Sequence, residues 1–126
     1  MKKMPRISES EWEVMKVVWQ QAPCSASQVI AALNQIDKNS PWHPKTVKTF
    51  LNRLIGKKAL GFTLEGRTYL YRPLVGHSEC AEAASVSFLE RVFGGSFTPM
   101  LAHFVARKRL SKEEIRELKK LLEGQE

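Results

Sequence analysis

Only two of the 126 residues are cysteine, Cys24 and Cys80, and they form neither a CxxC nor a CxC pair. That argues against a disulfide framework and a cysteine-built zinc site, so reduced, packed thiols are the expected state. Long apolar runs are missing too, since no stretch approaches the roughly 20 residues that a bilayer-spanning helix needs. The basic start, Met1-Lys2-Lys3-Met4-Pro5-Arg6, leads after Ile7 into polar and acidic residues and not into the apolar core of a secretion signal. A soluble, cytoplasmic chain is expected. There is no glycine-rich phosphate loop, long internal repeat or low-complexity segment. A catalytic nucleophile and base would have to come from Cys24, Cys80, His43, His77 and His103, and none of these stands in a recognisable catalytic motif. The expectation is a protein that is not an enzyme and carries no cofactor and no metal.

Acidic residues are scarce in one region. The net charge is +7, and between Lys38 and Arg72 the only acid is Glu65, against Lys38, Lys45, Lys48, Arg53, Lys57, Lys58, Arg67 and Arg72. From Ser111 onward both signs are mixed. An excess of positive charge gathered in one stretch favours a nucleic-acid surface over general solubility.

The centre of that stretch reads as a helix opening at Pro44, since proline suits a first helical position whose N–H has no partner anyway. Val47, Phe50, Leu51 and Leu54 recur at i, i+3, i+4 and i+7 and form an apolar stripe. Lys45, Thr46, Lys48, Thr49, Asn52 and Arg53 occupy the other face, followed by Lys57 and Lys58, and Lys57 is expected to contact the backbone of any duplex alike. Cations neutralise phosphates, and Thr, Asn and Arg can reach base edges.

The flanking segments place this helix third in a series. Ser8-Glu9-Ser10-Glu11 has the spacing of a capping box and opens a helix to about Gln21 that buries Trp12, Met15, Val18 and Trp19. Ser25-Ala26-Ser27-Gln28 opens a second helix to about Ile36. After Gly56 and Gly61 the period changes: Leu60, Phe62 and Leu64 alternate, Glu65-Gly66-Arg67 turns, and Thr68 to Arg72 is rich in β-forming residues. Three helices and a basic-tipped hairpin are the order of a winged helix-turn-helix, in which the third helix enters the major groove. Arg67 would then lie near flanking backbone or the minor groove.

Pro73 to His77 reads as a linker. Three further helices are expected: about Ser78 to Phe93, a short one capped by Thr98-Pro99 and holding Met100, Leu101, Phe104 and Val105, and one from the capping box Ser111-Lys112-Glu113-Glu114. The fold expected is mainly α with a small β-hairpin: a winged helix-turn-helix DNA-binding domain over 1–75 and a three-helix dimerisation domain over 76–126. Units this small usually need outside support, and a homodimer would present two recognition helices to a palindromic operator.

Several fragments resemble the penicillinase repressor family, of the BlaI/MecI type. Ser10-Glu11-Trp12-Glu13-Val14-Met15 with Val18-Trp19 resembles its first helix. Pro44-Lys45-Thr46-Val47 with Thr49 and Asn52-Arg53-Leu54 resembles its recognition helix. Tyr69-Leu70-Tyr71 with Pro73-Leu74-Val75 resembles the end of its wing, and Phe93-Gly94-Gly95 with Leu110-Ser111-Lys112-Glu113-Glu114-Ile115 its dimerisation region. The resemblance implies a dimeric repressor on palindromic promoter operators, with Lys45, Thr46, Lys48, Thr49 and Arg53 facing double-stranded DNA and Arg67 and Tyr71 supporting them. It also implies induction through a membrane sensor protease answering a β-lactam signal, with a cut in the dimerisation region. The matching bond is His103–Phe104, where the family pattern carries Asn in the place of His103. A copper-responsive branch ends in paired CxC motifs, and this tail has no cysteine.

Two other readings compete. A metal-responsive winged-helix regulator would use His77 and Cys80, spaced one helical turn apart, from both chains of a dimer. A winged domain that binds protein or RNA would leave duplex DNA binding indifferent to Lys45 and Arg53.

Overall fold

The computed structural model describes residues 4–125. The elements run α1 (Glu9–Gln21), α2 (Ala26–Ile36), α3 (Pro44–Gly56), β1 (Leu60–Glu65), β2 (Thr68–Pro73), α4 (His77–Phe93), α5 (Phe97–Ala106) and α6 (Lys112–Glu123). The chain is thus mainly α-helical with one antiparallel hairpin.

Local chemistry explains where most helices begin. Ser8 caps α1, with Glu11 N–H donating to Ser8 Oγ at 3.2 Å and Ser8 N–H to Glu11 Oε1 at 2.9 Å. The same reciprocal box forms at Ser25–Gln28 and Ser111–Glu114, each satisfying two otherwise unpaired donors. α3 starts differently: His43 Nδ1 accepts from Lys45 N–H at 3.1 Å and Pro44 takes the first helical position. α5 departs from expectation. It starts at Phe97, after Ser96, so Pro99 lies inside the first turn. An amide there has no intrahelical partner, so proline removes nothing.

α3 ends in a Schellman motif, with Lys58 N–H donating to Ile55 O at 3.0 Å and Ala59 N–H to Leu54 O at 2.9 Å. The left-handed residue that closes it is Lys58 (φ 66°) and not a glycine, although glycine is the usual occupant.

The wing pairs Leu60 with Pro73 through to Glu65 with Thr68, and Gly66 turns the chain at φ 63°, a conformation open to glycine without Cβ strain. A third short segment joins it. Cys24 N–H donates to Tyr71 O at 3.1 Å and Tyr71 N–H to Cys24 O at 2.7 Å, so the α1–α2 connection forms a bridge on the outer edge of β2.

Two compact units divide the chain at residues 1–84 and 85–126, within α4. The core of the first unit comprises Val14, Met15 and Val18 of α1, Val29 and Leu33 of α2, Val47, Leu51 and Leu54 of α3, and Leu60, all 2% exposed or less. Trp12 and Trp19, expected in the buried stripe of α1, are only partly buried and flank this core, while Val14 and Val17 lie inside it. The first turn of α4 belongs with the winged unit. His77 meets Trp12 and Trp19 edge-on at ring-centroid distances of 6.0 and 5.0 Å, Trp19 Nε1–H donates to Val75 O at 2.9 Å, and Cys80 is buried.

The second unit contains the rest of α4 with α5 and α6. None of its described residues is buried, and Phe88, Val92, Phe104, Val105, Leu121 and Leu122 are exposed. No helix among the described residues is long and apolar enough to cross a membrane.

Candidate nucleic-acid interface

α3 buries Val47, Leu51 and Leu54, so its 3.6-residue period turns Lys45, Thr46, Lys48, Thr49, Asn52 and Arg53 outward, and all six are exposed. Thr49 Oγ1 donates to Lys45 O at 3.0 Å, which commits its proton to the helix and leaves the hydroxyl lone pairs and the methyl group as its outward chemistry. The Arg53 guanidinium lies 5.8 Å from the centroid of the Phe50 ring, which meets Trp42 edge-on at 5.9 Å. Trp42 N–H in turn donates to Asn34 Oδ1 at 2.8 Å. The helical period marks Phe50 only as core, and no sequence signal singles out Trp42. Both are half-buried: Phe50 backs Arg53, and Trp42 backs Phe50.

Between the start of α2, the middle of α3 and the wing runs a groove of about 440 Å³. Lys48 and Asn52 line it from α3, Arg67, Tyr69 and Tyr71 from the wing, and Ser25 and Ser27 from α2. Four residues singled out from sequence, Lys48, Asn52, Arg67 and Tyr71, therefore meet in one concavity. No acidic residue lines it. Among the described residues the ion pairs are Lys16–Glu13 and Lys57–Glu11, so Lys45, Lys48, Arg53 and Arg67 have no acidic partner. Unneutralised cations beside hydroxyls, an amide and an aromatic ring suit a sugar-phosphate backbone.

Two of the expected contact residues are placed differently from the rest. Tyr71 is 8% exposed, and burial, with Tyr69 nearby, pushes its phenol up from its ordinary value. It forms the floor of the groove, whereas Tyr69 is half-exposed at its edge. Lys57 Nζ lies 2.5 Å from Glu11 Oε1 and 2.7 Å from Arg6 O. Burial alone would push the Glu11 carboxyl up. The Lys57 ammonium and the N–H and hydroxyl of Ser8 outweigh it and hold the group below its ordinary value.

None of the other singled-out residues lines this groove. Burial pushes the Cys24 thiol up, and burial with the charge of Glu79 does the same for Cys80; neither favours the thiolate that binds metal. Both thiols are free and buried. His77 faces two indoles, and no cluster of three metal-ligating side chains occurs among the described residues. His103 and Phe104 sit in α5, where His103 O accepts from Arg107 N–H at 3.2 Å and Phe104 O from Arg109 N–H at 2.9 Å.

Comparison with known proteins agrees with this geometry. The sequence model for the penicillinase repressor family matches residues 7–124. The penicillinase repressor of Bacillus licheniformis is 43% identical over 123 residues, covering 98% of this chain and 94% of that protein. The methicillin resistance regulatory protein MecI of Staphylococcus aureus (strain N315) is 33% identical over 116 residues, 92% of each chain. Among solved structures, the DNA-binding domain of the repressor BlaI matches with a TM-score of 0.53 at 43% identity, over 63% of this chain and 93% of that one. The monomeric form of Bacillus licheniformis BlaI, solved in complex with the blaP half-operator, matches with a TM-score of 0.50 at 44% identity over the same shares. Such proteins are DNA-binding repressors of transcription and not enzymes. With its winged-helix order and acid-free groove, this chain belongs to the penicillinase repressor family.

Proposed function

We propose that the chain represses transcription as a cytoplasmic homodimer on a palindromic promoter operator, each winged unit taking one half-site. Lys45, Thr46, Thr49 and Arg53 reach into the major groove, while Lys48, Asn52 and Arg67 hold the flanking backbone against the groove floored by Tyr71. The observation that carries the reading is the convergence of Lys48, Asn52 and Arg67 on one acid-free groove beside the outward face of α3. The complex of the related BlaI with a half-operator supports it.

The pairing role goes to the second unit, whose exposed Phe88, Val92, Phe104, Val105, Leu121 and Leu122 are of the kind that a two-fold partner buries. Relief of repression is assigned to cleavage at His103–Phe104 by a membrane sensor protease. That bond lies within a helix, and proteases read extended chain, so cutting requires α5 to open locally. A β-lactam is the proposed class of signal.

A gel-shift titration of the protein against its own upstream promoter tests the core of this reading, with unrelated duplex as competitor and two salt concentrations. Binding that survives the competitor is expected. Loss to any duplex equally would reduce the interface to a basic surface and overturn the repressor assignment.

A further inference from the structure

Lys57 belongs to the basic run that follows the DNA-facing side of α3, yet its ammonium points its hydrogen bonds inward. It donates to Glu11 Oε1 and to Arg6 O. Glu11 is 1% exposed, the only buried charged residue among those described, and the same oxygen accepts from Ser8 N–H at 2.9 Å. If Lys57 turned outward to a phosphate, a carboxylate closed off from water would lose its counter-charge. A buried charge without its partner is strongly destabilising, so the pair holds Lys57 where it is.

The pair also sits at a particular place in the recognition helix. Lys57 is the C-cap of α3, and its N–H donates to Arg53 O at 2.9 Å. The next two residues close the helix by their bonds to Ile55 O and Leu54 O. The turn that carries Arg53 is thus held from one side by Phe50 and from its end by an ion pair rooted in the first turn of α1.

We infer that Lys57 and Glu11 are positioning residues: their ion pair fixes the last turn of α3, and with it the reach of Arg53 to DNA, and Lys57 is not a phosphate contact. This rests on the repressor reading above for its consequence in DNA binding, but its effect on α3 does not.

The test compares the full-length protein with Lys57→Met, Glu11→Gln, the amide pair Glu11→Gln/Lys57→Gln, and Lys48→Met as the phosphate-contact control. Affinity for operator and for unrelated duplex is measured across a salt series, and amide hydrogen exchange is followed along α3. The expected result is a fall of about tenfold in the operator preference for both Lys57→Met and Glu11→Gln, although Glu11 cannot touch DNA. The salt slope should stay unchanged for both, while Lys48→Met lowers it by about 0.9, the value for one phosphate. Exchange should quicken at Lys57, Lys58 and Ala59 and stay as it was at Val47 to Leu51. The amide pair, which restores a hydrogen bond without charge, keeps the chain folded if a single change does not and should recover part of the preference. A drop in salt slope for Lys57→Met with Glu11→Gln behaving as the parent would overturn the inference. Unchanged exchange at the end of α3 would overturn it too, even if the parent protein showed no operator preference and the repressor reading itself had failed.

Discussion

His77 is a side chain whose role can be isolated by one substitution. Its ring stands at 83° to Trp12 and 84° to Trp19, with centroids 6.0 and 5.0 Å away, and it occupies the first position of α4. Edge-to-face aromatic pairs contribute about 0.5–1.5 kcal/mol each beyond the area they bury. His77 is itself an exposed residue, which argues for the lower end, so His77→Ala should destabilise the winged unit by about 1 kcal/mol, about fivefold in the folding equilibrium. His77→Phe keeps an aromatic edge against both indoles and should keep most of that stability. Urea denaturation followed by tryptophan emission and by circular dichroism measures both quantities, with two of the three emitting rings, Trp12 and Trp19, being those that His77 touches. His77→Ala within about 0.2 kcal/mol of the parent and with unshifted emission would refute the packing role. So would His77→Phe falling as far as His77→Ala. A zinc-dependent rise in melting temperature, abolished in His77→Ala and Cys80→Ser, would instead return the metal-responsive reading.

Three further outcomes are expected. Because the Glu11 carboxyl is held below its ordinary value of 4.5, its contribution to stability is complete above that pH and is lost as pH falls through the lower folded value; an acid titration of Glu11→Gln should lack that component, and identical profiles would refute it. Thr49→Ala or Arg53→Ala should relax sequence preference by about 1–3 kcal/mol at single base pairs, while Lys48→Ala weakens all duplexes alike, as operator variants in a competition assay would reveal. Leu121→Asp and Leu122→Asp, at positions 68% and 55% exposed, should leave the helix content unchanged and shift sedimentation toward monomer. Unaltered sedimentation would remove α6 from the pairing surface.

The features legible in the sequence share a short range. The capping boxes at Ser8, Ser25 and Ser111 join residues three apart, so their spacing alone announces them. The outward set on α3 follows from helical period, and the hairpin from alternation about Gly66. The winged-helix order and the family resemblance both rest on such local patterns. Alternation misleads in the wing, where Phe62 and Leu64 are exposed: the Phe62 ring packs across the hairpin against Tyr69, at a centroid distance of 5.0 Å, and not into the helical core.

What the sequence by itself determined, then, was the order and type of the elements, the cationic face of α3 and the membership of its family, since backbone geometry links residues a few positions apart whatever surrounds them. The tertiary structure alone decided the rest. Glu11 and Lys57 are 46 positions apart, and Trp19 and Val75 56; nothing local distinguishes Lys57 from Lys58 or Lys48 until α1 arrives to offer a carboxylate to one of them. The Cys24–Tyr71 bridge and the meeting of Lys48, Asn52 and Arg67 in one groove have the same cause. They are consequences of packing three helices and a wing around one core, and a pairing made by packing is written in no single segment of the chain.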